Sequence, residues 1–287
     1  MDKTFNRTLI KPFNIFTKPF ANLPNKELLK SIIKFFSTKT DLLVLGGISL
    51  VYLLIAQRME FSFPVFLQQL PEAVFFITEE MLPVNWQSYT DYLTPLLDTF
   101  CVAVVSLVFS SIISFLLGFL CSEKTMHIKW IRTVVKGFMT VIRNVPNIIW
   151  ALMLVPAFGV GITTGVIALT VGNIGSMTRF YYETIDEVDL ELLTSLKATG
   201  MSYIQVIRFG AIPQALPGFI SWTIYSLENN IRSSSIIGLV GAGGVGMYIS
   251  NNLSLMKYKT AAMGIILIVV CVIITEIISN ILRKRII

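Results

Sequence analysis

The sequence predicts an all-α, polytopic integral membrane protein of about six transmembrane helices, and three observations predict it. Of 287 residues, 54% are apolar and only 14% are charged, with a mean hydropathy of +0.72. A soluble domain carries about 25% charged residues, so this chain lacks the polar surface to cover itself with water. That argues against a cytosolic enzyme, a secreted disulfide scaffold and a disordered chain. Second, long stretches contain no Asp, Glu, Lys or Arg. Third, basic residues are distributed unevenly between the connections, as they are when loops sort to two sides of a membrane.

Residues 1–40 read as a basic cytoplasmic arm, with eight Lys and Arg against Asp2 and Glu27. Its scattered Phe and Ile suit an amphipathic segment on the inner membrane face. The first apolar run begins too late for a cleavable signal. Residues 41–95 hold the first span, 42–57, and an outer loop. A spanning helix needs roughly 20 apolar residues, and 99–122 provides the second. The uncharged stretch 144–178 has 35 residues, too many for one pass. Pro156, Gly159 and Gly161 near its middle predict two helices joined by a tight turn. The fifth and sixth spans grow out of 209–227 and 260–275. Residues 96–287 thus form a core, with a cytoplasmic loop at 183–211.

Segment 233–256 stands apart. Gly238, Gly241, Gly243, Gly244 and Gly246 put five glycines into nine residues, a poor helix. Irregular backbone survives at membrane depth only when buried in protein or lining water, so a broken or re-entrant segment is expected. An ordinary outer loop is the plainer alternative. Orientation follows from Lys and Arg. Residues 57–98 carry only Arg58 against six acids, whereas 121–143 carry Lys124, Lys129, Arg132, Lys136 and Arg143 against Glu123. Both termini and the 121–137 connection are therefore expected inside, and 57–95 outside. Lys257 and Lys259 then fall outside, against the trend.

Bond-making chemistry is missing. Cys101, Cys121 and Cys271 are far apart and His127 is the only histidine, so no metal cluster, disulfide framework or His-based triad is indicated. No Gly-x-x-x-x-Gly-Lys-Ser/Thr loop occurs. Any ATP used must be hydrolysed on another chain.

The loop at 183–211 opens with Glu183, Asp186, Glu187, Asp189 and Glu191, which favour a helix start. Leu192, Leu193 and Leu196 follow at helical spacing. Gly200 breaks the run, and Ile204, Ile207 and Phe209 form a second amphipathic piece before Pro213 and Pro217. This reads as helix, glycine turn and short helix on the inner face. Residues 193–202 (Leu-Thr-Ser-Leu-Lys-Ala-Thr-Gly-Met-Ser), with Ile212-Pro213 beyond, resemble the EAA loop of ABC importer permeases. Thr194 stands where that pattern has Glu, Ser195 and Leu196 replace two Ala, and Ile212 replaces Leu. Glu228-Asn229-Asn230-Ile231-Arg232 and the glycine run 238–246 narrow the resemblance to the phosphonate ABC transporter permeases. Arg143-Asn144-Val145-Pro146 matches an Arg-x-x-Pro of many importer permeases. The likeness covers roughly 95–283.

This resemblance implies a type I ABC importer permease fold and a translocation subunit that carries phosphonate or a related phosphorus oxyanion inward. It implies no cofactor on this chain, with ATP and Mg on a partner ATPase. It also implies two ATPase subunits, an extracellular or periplasmic substrate-binding protein, a second permease copy (homodimer), surrounding lipid and no nucleic acid. Glu191, Thr194, Ser195, Leu196, Ala198, Thr199, Gly200, Met201 and Gln205 are the expected ATPase-coupling residues. Arg143, Asn144, Asn147, Asn229, Arg232, Ser233, Ser234, Gly243 and Gly244 are the expected path residues. Arg143 has a second reading, as a snorkelling or fold-holding cation. Arg232 has one too, as the partner of Glu228 four residues away. A permease for phosphite, phosphate, methionine or another small solute is the same-class alternative. A polytopic membrane enzyme is the different-class one, and it lacks paired acids or an activated nucleophile.

Overall fold

The computed structural model describes residues 43–44, 46–58 and 62–286. The arm expected over 1–40 lies outside the described residues. Every regular element among the described residues is helical. Helix α1, Gly46–Arg58, and most of α2, Phe63–Phe75, belong to a first unit that ends at Glu72. The second unit starts at Ala73. It carries α3 (Tyr89–Cys121), α4 (Lys129–Asn144), α5 (Asn147–Phe158), α6 (Ile162–Glu187), α7 (Leu190–Ala198), α8 (Tyr203–Val206), α9 (Ile212–Gly238), α10 (Gly244–Ser254) and α11 (Tyr258–Ile286).

Six spans are not what length and composition give. Among the described residues, two helical stretches, Trp86–Cys121 and Tyr258–Arg285, are long and apolar enough to cross a membrane, and up to four spans result if two bent helix pairs are each counted as one. The expected third span is the first departure: α5 has only 12 residues and meets α4 at 86°. The 121–137 connection is likewise partly helical, because α4 begins at Lys129. Lys129, Arg132, Lys136 and Arg143 alternate there with exposed Trp130, Val134, Phe138 and Val141, the pattern of a helix lying in the interface. Helices α6 and α9 have 26 and 27 residues. They are less apolar than a lipid-facing helix because Asn173, Thr178, Asn230 and Ser234 are buried against neighbouring helices.

The turn expected within 144–178 is present: α5 ends at Phe158 and α6 starts at Ile162. Pro156 stays in the last turn of α5 rather than in the connection. The glycine-rich break is narrower than expected. Helix α9 continues to Gly238 and α10 starts at Gly244, so only 239–243 is irregular. Two helices turn back on each other there at very short range. A Cβ on Gly246 would land on the Ser235 carbonyl oxygen, and one on Gly238 would lie 2.5 Å from the Gly243 oxygen. Missing side chains, not helix propensity, explain these glycines.

Helices α3, α6 and α9 form the centre. Ser106, Ser110, Ser114 and Gly118 recur every fourth residue on α3 and are all buried. Ser110 Oγ donates to Met177 Sδ (3.3 Å) and Ser114 Oγ to the Ile174 oxygen (3.2 Å), both on α6. Small residues at this spacing let helices approach closely without lipid-excluded voids. Asn173 Nδ2 of α6 donates to Asn230 Oδ1 of α9 at 2.6 Å. Asn230 Nδ2 lies 3.2 Å from the Ala103 oxygen and 3.3 Å from Ser106 Oγ of α3. One amide therefore joins three helices. At the far end, Tyr92 Oη donates to the Thr260 oxygen (2.8 Å) and tethers α11 to α3.

Gly246→Ala should destabilise the protein by roughly 1–3 kcal/mol, because the methyl meets backbone that cannot step aside. Gly137→Ala on α4, with nothing within 4 Å of the new atom, should hold or gain up to about 1 kcal/mol. Thermal denaturation of the two purified variants beside the parent checks both.

Candidate coupling loop and polar pocket

The loop between α6 and α9 is built by caps. Asp189 Oδ1 accepts from the Glu191 amide (2.8 Å) and starts α7, which its carboxylate favours at a helix N-terminus. The Asp189 amide donates to Gln214 Oε1 (3.0 Å), tying the start of α7 to the start of α9. Gly200 closes α7 at φ +86°, with its amide 3.1 Å from the Lys197 oxygen. Ser202 and Gln205 then form a capping box that starts α8, and Gln205 Oε1 accepts from the Ser202 amide at 2.8 Å. A π turn, Ile207–Ala211, carries α8 straight into α9.

Leu193 seats α7. It is buried in one cluster with Ile185, Val188, Val206, Ala211, Ala215 and Phe219, against which Leu196 and Met201 pack. Glu191, Thr194, Ser195, Ala198 and Thr199 remain exposed on the other side. The nine expected coupling residues thus divide. Leu196 and Met201 turn inward, Gln205 is spent on its cap, and the other six leave an outward surface. A Cβ on Gly200 would have nothing within 4 Å, so the turn projects into open space. Behind α7, Lys124 Nζ donates to the Val188 oxygen, and Asp186 Oδ1 accepts from Ser122 Oγ (2.5 Å) and from the Glu123 amide (2.8 Å). The α3–α4 connection is thereby locked to the end of α6. Tyr203, stacked edge-on to His127 at 5.5 Å, has its phenol pushed above its usual range by burial.

A polar pocket of about 270 Å³ lies where α4 breaks into α5, against α6 and α9. Arg143, Asn147, Gly172, Asn173, Ser176, Tyr225, Ser226 and Asn229 line it, with Met177 and Phe180. Arg143 is the cation at the end of α4 and Asn147 is the first residue of α5. No Asp or Glu lines the pocket. Among the described residues, the side chains of Arg143, Asn147, Ser176, Tyr225, Ser226 and Asn229 make no hydrogen bond or ion pair. Donors and one uncompensated positive charge converge on one space, which suits an anion.

Residues 114–287 match the family described as binding-protein-dependent transport system inner membrane component. The chain belongs to this family. Among curated relatives, the permease is 29% identical over 206 residues to the phosphite transport system permease protein PtxC of Stutzerimonas stutzeri, covering 72% of this chain and 75% of that one. It is 28% identical over 176 residues to the phosphate-import permease protein PhnE of Mycolicibacterium smegmatis, covering 61% of this chain and 33% of that one. Among solved structures, the fold is similar to a chain of the inward-facing MetNI methionine ABC transporter, with a TM-score of 0.61 at 20% identity over 71% of this chain and all of that one. The protein is thus a multi-pass membrane permease subunit of an ABC importer, all-α and non-catalytic. ATP and Mg belong to a separate ATPase chain.

The expected path residues of the permease do not form one site. Arg143, Asn147 and Asn229 line the pocket. Asn144 instead bonds the Thr140 oxygen (2.8 Å) on the exposed side of α4. Arg232 Nη2 is 3.4 Å from Glu228 Oε1, and Glu228 Oε2 is 3.3 Å from Arg283 Nη2 of α11. Arg232 is therefore the compensated arginine of the two. Ser234 is buried and its hydroxyl reaches the Ile231 (2.9 Å) and Thr99 (3.3 Å) oxygens. Ser233 is half-buried on α9 beside it. Gly243 and Gly244 pack on Ile162 and Thr99, and Thr99 Oγ1 accepts from the Val245 amide at 2.8 Å. Arg232, Ser234 and the glycines are thus engaged in contacts within the fold. Ser176, Tyr225 and Ser226 were not expected in the site. Ser176 shares a four-residue spacing with Gly172 and Phe180 on α6, whereas Tyr225 and Ser226 on α9 carry no such signal.

Gly200→Val should leave the bundle folded and weaken capture of the partner ATPase, since a β-branched residue at φ +86° costs about 1–2 kcal/mol of turn geometry. Co-purification of the ATPase with the variant at parental yield, together with full uptake, would remove a docking role for this turn.

Proposed function

We propose that the permease carries a small phosphorus oxyanion into the cell, with phosphite ahead of phosphonate. The observation that carries this reading is Arg143: an unpaired guanidinium among hydroxyls and amides, with no carboxylate beside it. An oxyanion meets a prohibitive desolvation cost in hydrocarbon. A planar guanidinium offers it two parallel hydrogen bonds, and one cation per pocket keeps binding weak enough for release. The sequence alone favoured phosphonate. Relatives named for phosphite and phosphate transport shift the reading toward the smaller anions, and the phosphite relative aligns over more of this chain. A permease for methionine or another small solute is the competing reading. The likeness to the methionine transporter bears on fold alone.

In this reading two copies pair, and two ATPases dock on the exposed face of α7 formed by Glu191, Thr194, Ser195, Ala198 and Thr199. A binding protein delivers the anion at the opposite end, and both termini are cytoplasmic. Helix α7 is the covalent link between the ends of α6 and α9, so its displacement by the ATPase changes the spacing of the helices that wall the pocket. The pocket then opens alternately to the two sides.

Arg143→Gln should cut phosphite uptake by roughly tenfold to a hundredfold, the scale of a lost charged hydrogen bond, while ATPase assembly survives. Arg143→Lys should fall between, because it keeps the charge and loses the fork. Parental uptake by Arg143→Gln sinks the oxyanion site. For orientation, a single cysteine at Ser195 should resist an impermeant thiol reagent in intact cells, and one at Met256 should react. The reverse pattern would invert the topology and detach α7 from the ATPase.

A further inference from the structure

Three aromatic rings cluster at one end of the polar pocket. Phe180 of α6 and Trp222 of α9 stack face to face, with centroids 4.1 Å apart and planes 7° from parallel. Tyr225 stands on edge to both, 6.1 Å from Phe180 at 81° and 5.8 Å from Trp222 at 88°. Phe180 and Tyr225 line the pocket itself.

Their level follows from the antiparallel register of α6 and α9. Asn173 pairs with Asn230, and Tyr181 Oη lies 2.7 Å from Thr223 Oγ1. Phe180 is one turn beyond Ser176, and Tyr225 is one turn before Asn229. Both steps run toward the coupling loop, by about 6 Å of helical rise. The order along α6 and α9 is therefore fixed: Asn173 and Asn229, then the hydroxyls of Ser176 and Ser226, then the rings, then the loop. The rings offer no positive charge, and they bridge the two helices whose ends α7 joins.

We infer that Phe180, Trp222 and Tyr225 are the release barrier of the transport reaction: they seal the anion pocket on its coupling-loop side and part when α6 and α9 separate. This rests on the reading of the pocket as the oxyanion site. An anion facing the stacked Phe180–Trp222 plate meets the negative ring faces, so it stays on Arg143 until the plate splits. A pull on α7 acts on both helices at once and is transmitted to the Phe180–Trp222 stack that spans them.

The test uses the permease with its ATPase and binding protein in proteoliposomes loaded with radiolabelled phosphite. Without ATP or binding protein, the parent should hold its load. The Phe180→Ala/Trp222→Ala double variant should leak about tenfold faster, the scale a lost stack sets on a barrier, with the ATPase still bound. Trp222→Phe keeps a stacking ring and should stay tight. An assembled double-alanine variant as tight as the parent overturns the barrier, and so does a Trp222→Phe variant as leaky as the double alanine. If the double variant fails to assemble, Phe180→Cys with Trp222→Cys decides, in a background where Cys101, Cys121 and Cys271 are Ser. Joining the two by a short thiol cross-linker should stop uptake, and cleaving the linker should restore it. Uptake through an intact cross-link overturns the barrier. Arg143→Gln in the same vesicles separates the two readings. Lost uptake with no leak keeps the pocket whatever the rings do, and normal uptake removes the pocket even where the double variant leaks.

Discussion

The structure turns on the Asn230 amide. It is fully buried, and in an apolar bundle an unpaired amide costs several kcal/mol. Its oxygen takes the Asn173 amide and its nitrogen faces the Ala103 oxygen and the Ser106 hydroxyl. That single side chain fixes how α3, α6 and α9 are rotated and how far along one another they sit. Everything polar on one side of it and everything aromatic below it inherits that register. The four-residue row of serines on α3 extends the same logic, because hydroxyls bonding to α6 replace the nonspecific apolar contact that lipid would compete with.

Two arginines of similar sequence setting behave oppositely, and their neighbours decide it. Glu228 is mostly buried and is shared by Arg232 and Arg283 on its two oxygens, which ties α11 to α9. Arg143 has amides and hydroxyls but no carboxylate. The first arrangement holds helices. The second leaves a guanidinium with no carboxylate beside it.

Composition was enough to place the chain in a membrane, and Gly200 with its flanking amphipathic runs was enough to place the helix, turn and short helix between α6 and α9. The single residue Gly200 was legible because φ above zero leaves few alternatives. The number of spans was not legible. Counting charges cannot separate an interfacial helix such as α4 from the short α5 that follows it at a right angle. The glycine run misled for a related reason: Gly238 and Gly246 are helical, and what requires them is backbone packed against them, such as the Ser235 oxygen beside Gly246, which a linear string does not show. Ser176, Tyr225 and Ser226 were hidden because each is unremarkable alone and meaningful only across two antiparallel helices.

The π turn at 207–211 has a consequence for how the loop is indexed to the bundle. The buried positions run Val206, Ala211, Ala215 and Phe219: one step of five residues, then two steps of four. An uninterrupted α-helix would carry α8 about 100° out of phase with α9, and Val206 would leave the cluster that seats α7. The extra residue works as a phase shifter between a surface helix and a membrane helix. Because the backbone stays continuously hydrogen-bonded through it, a twist applied at α8 is passed on as rotation of α9 about its own axis, not absorbed as it would be in a flexible linker.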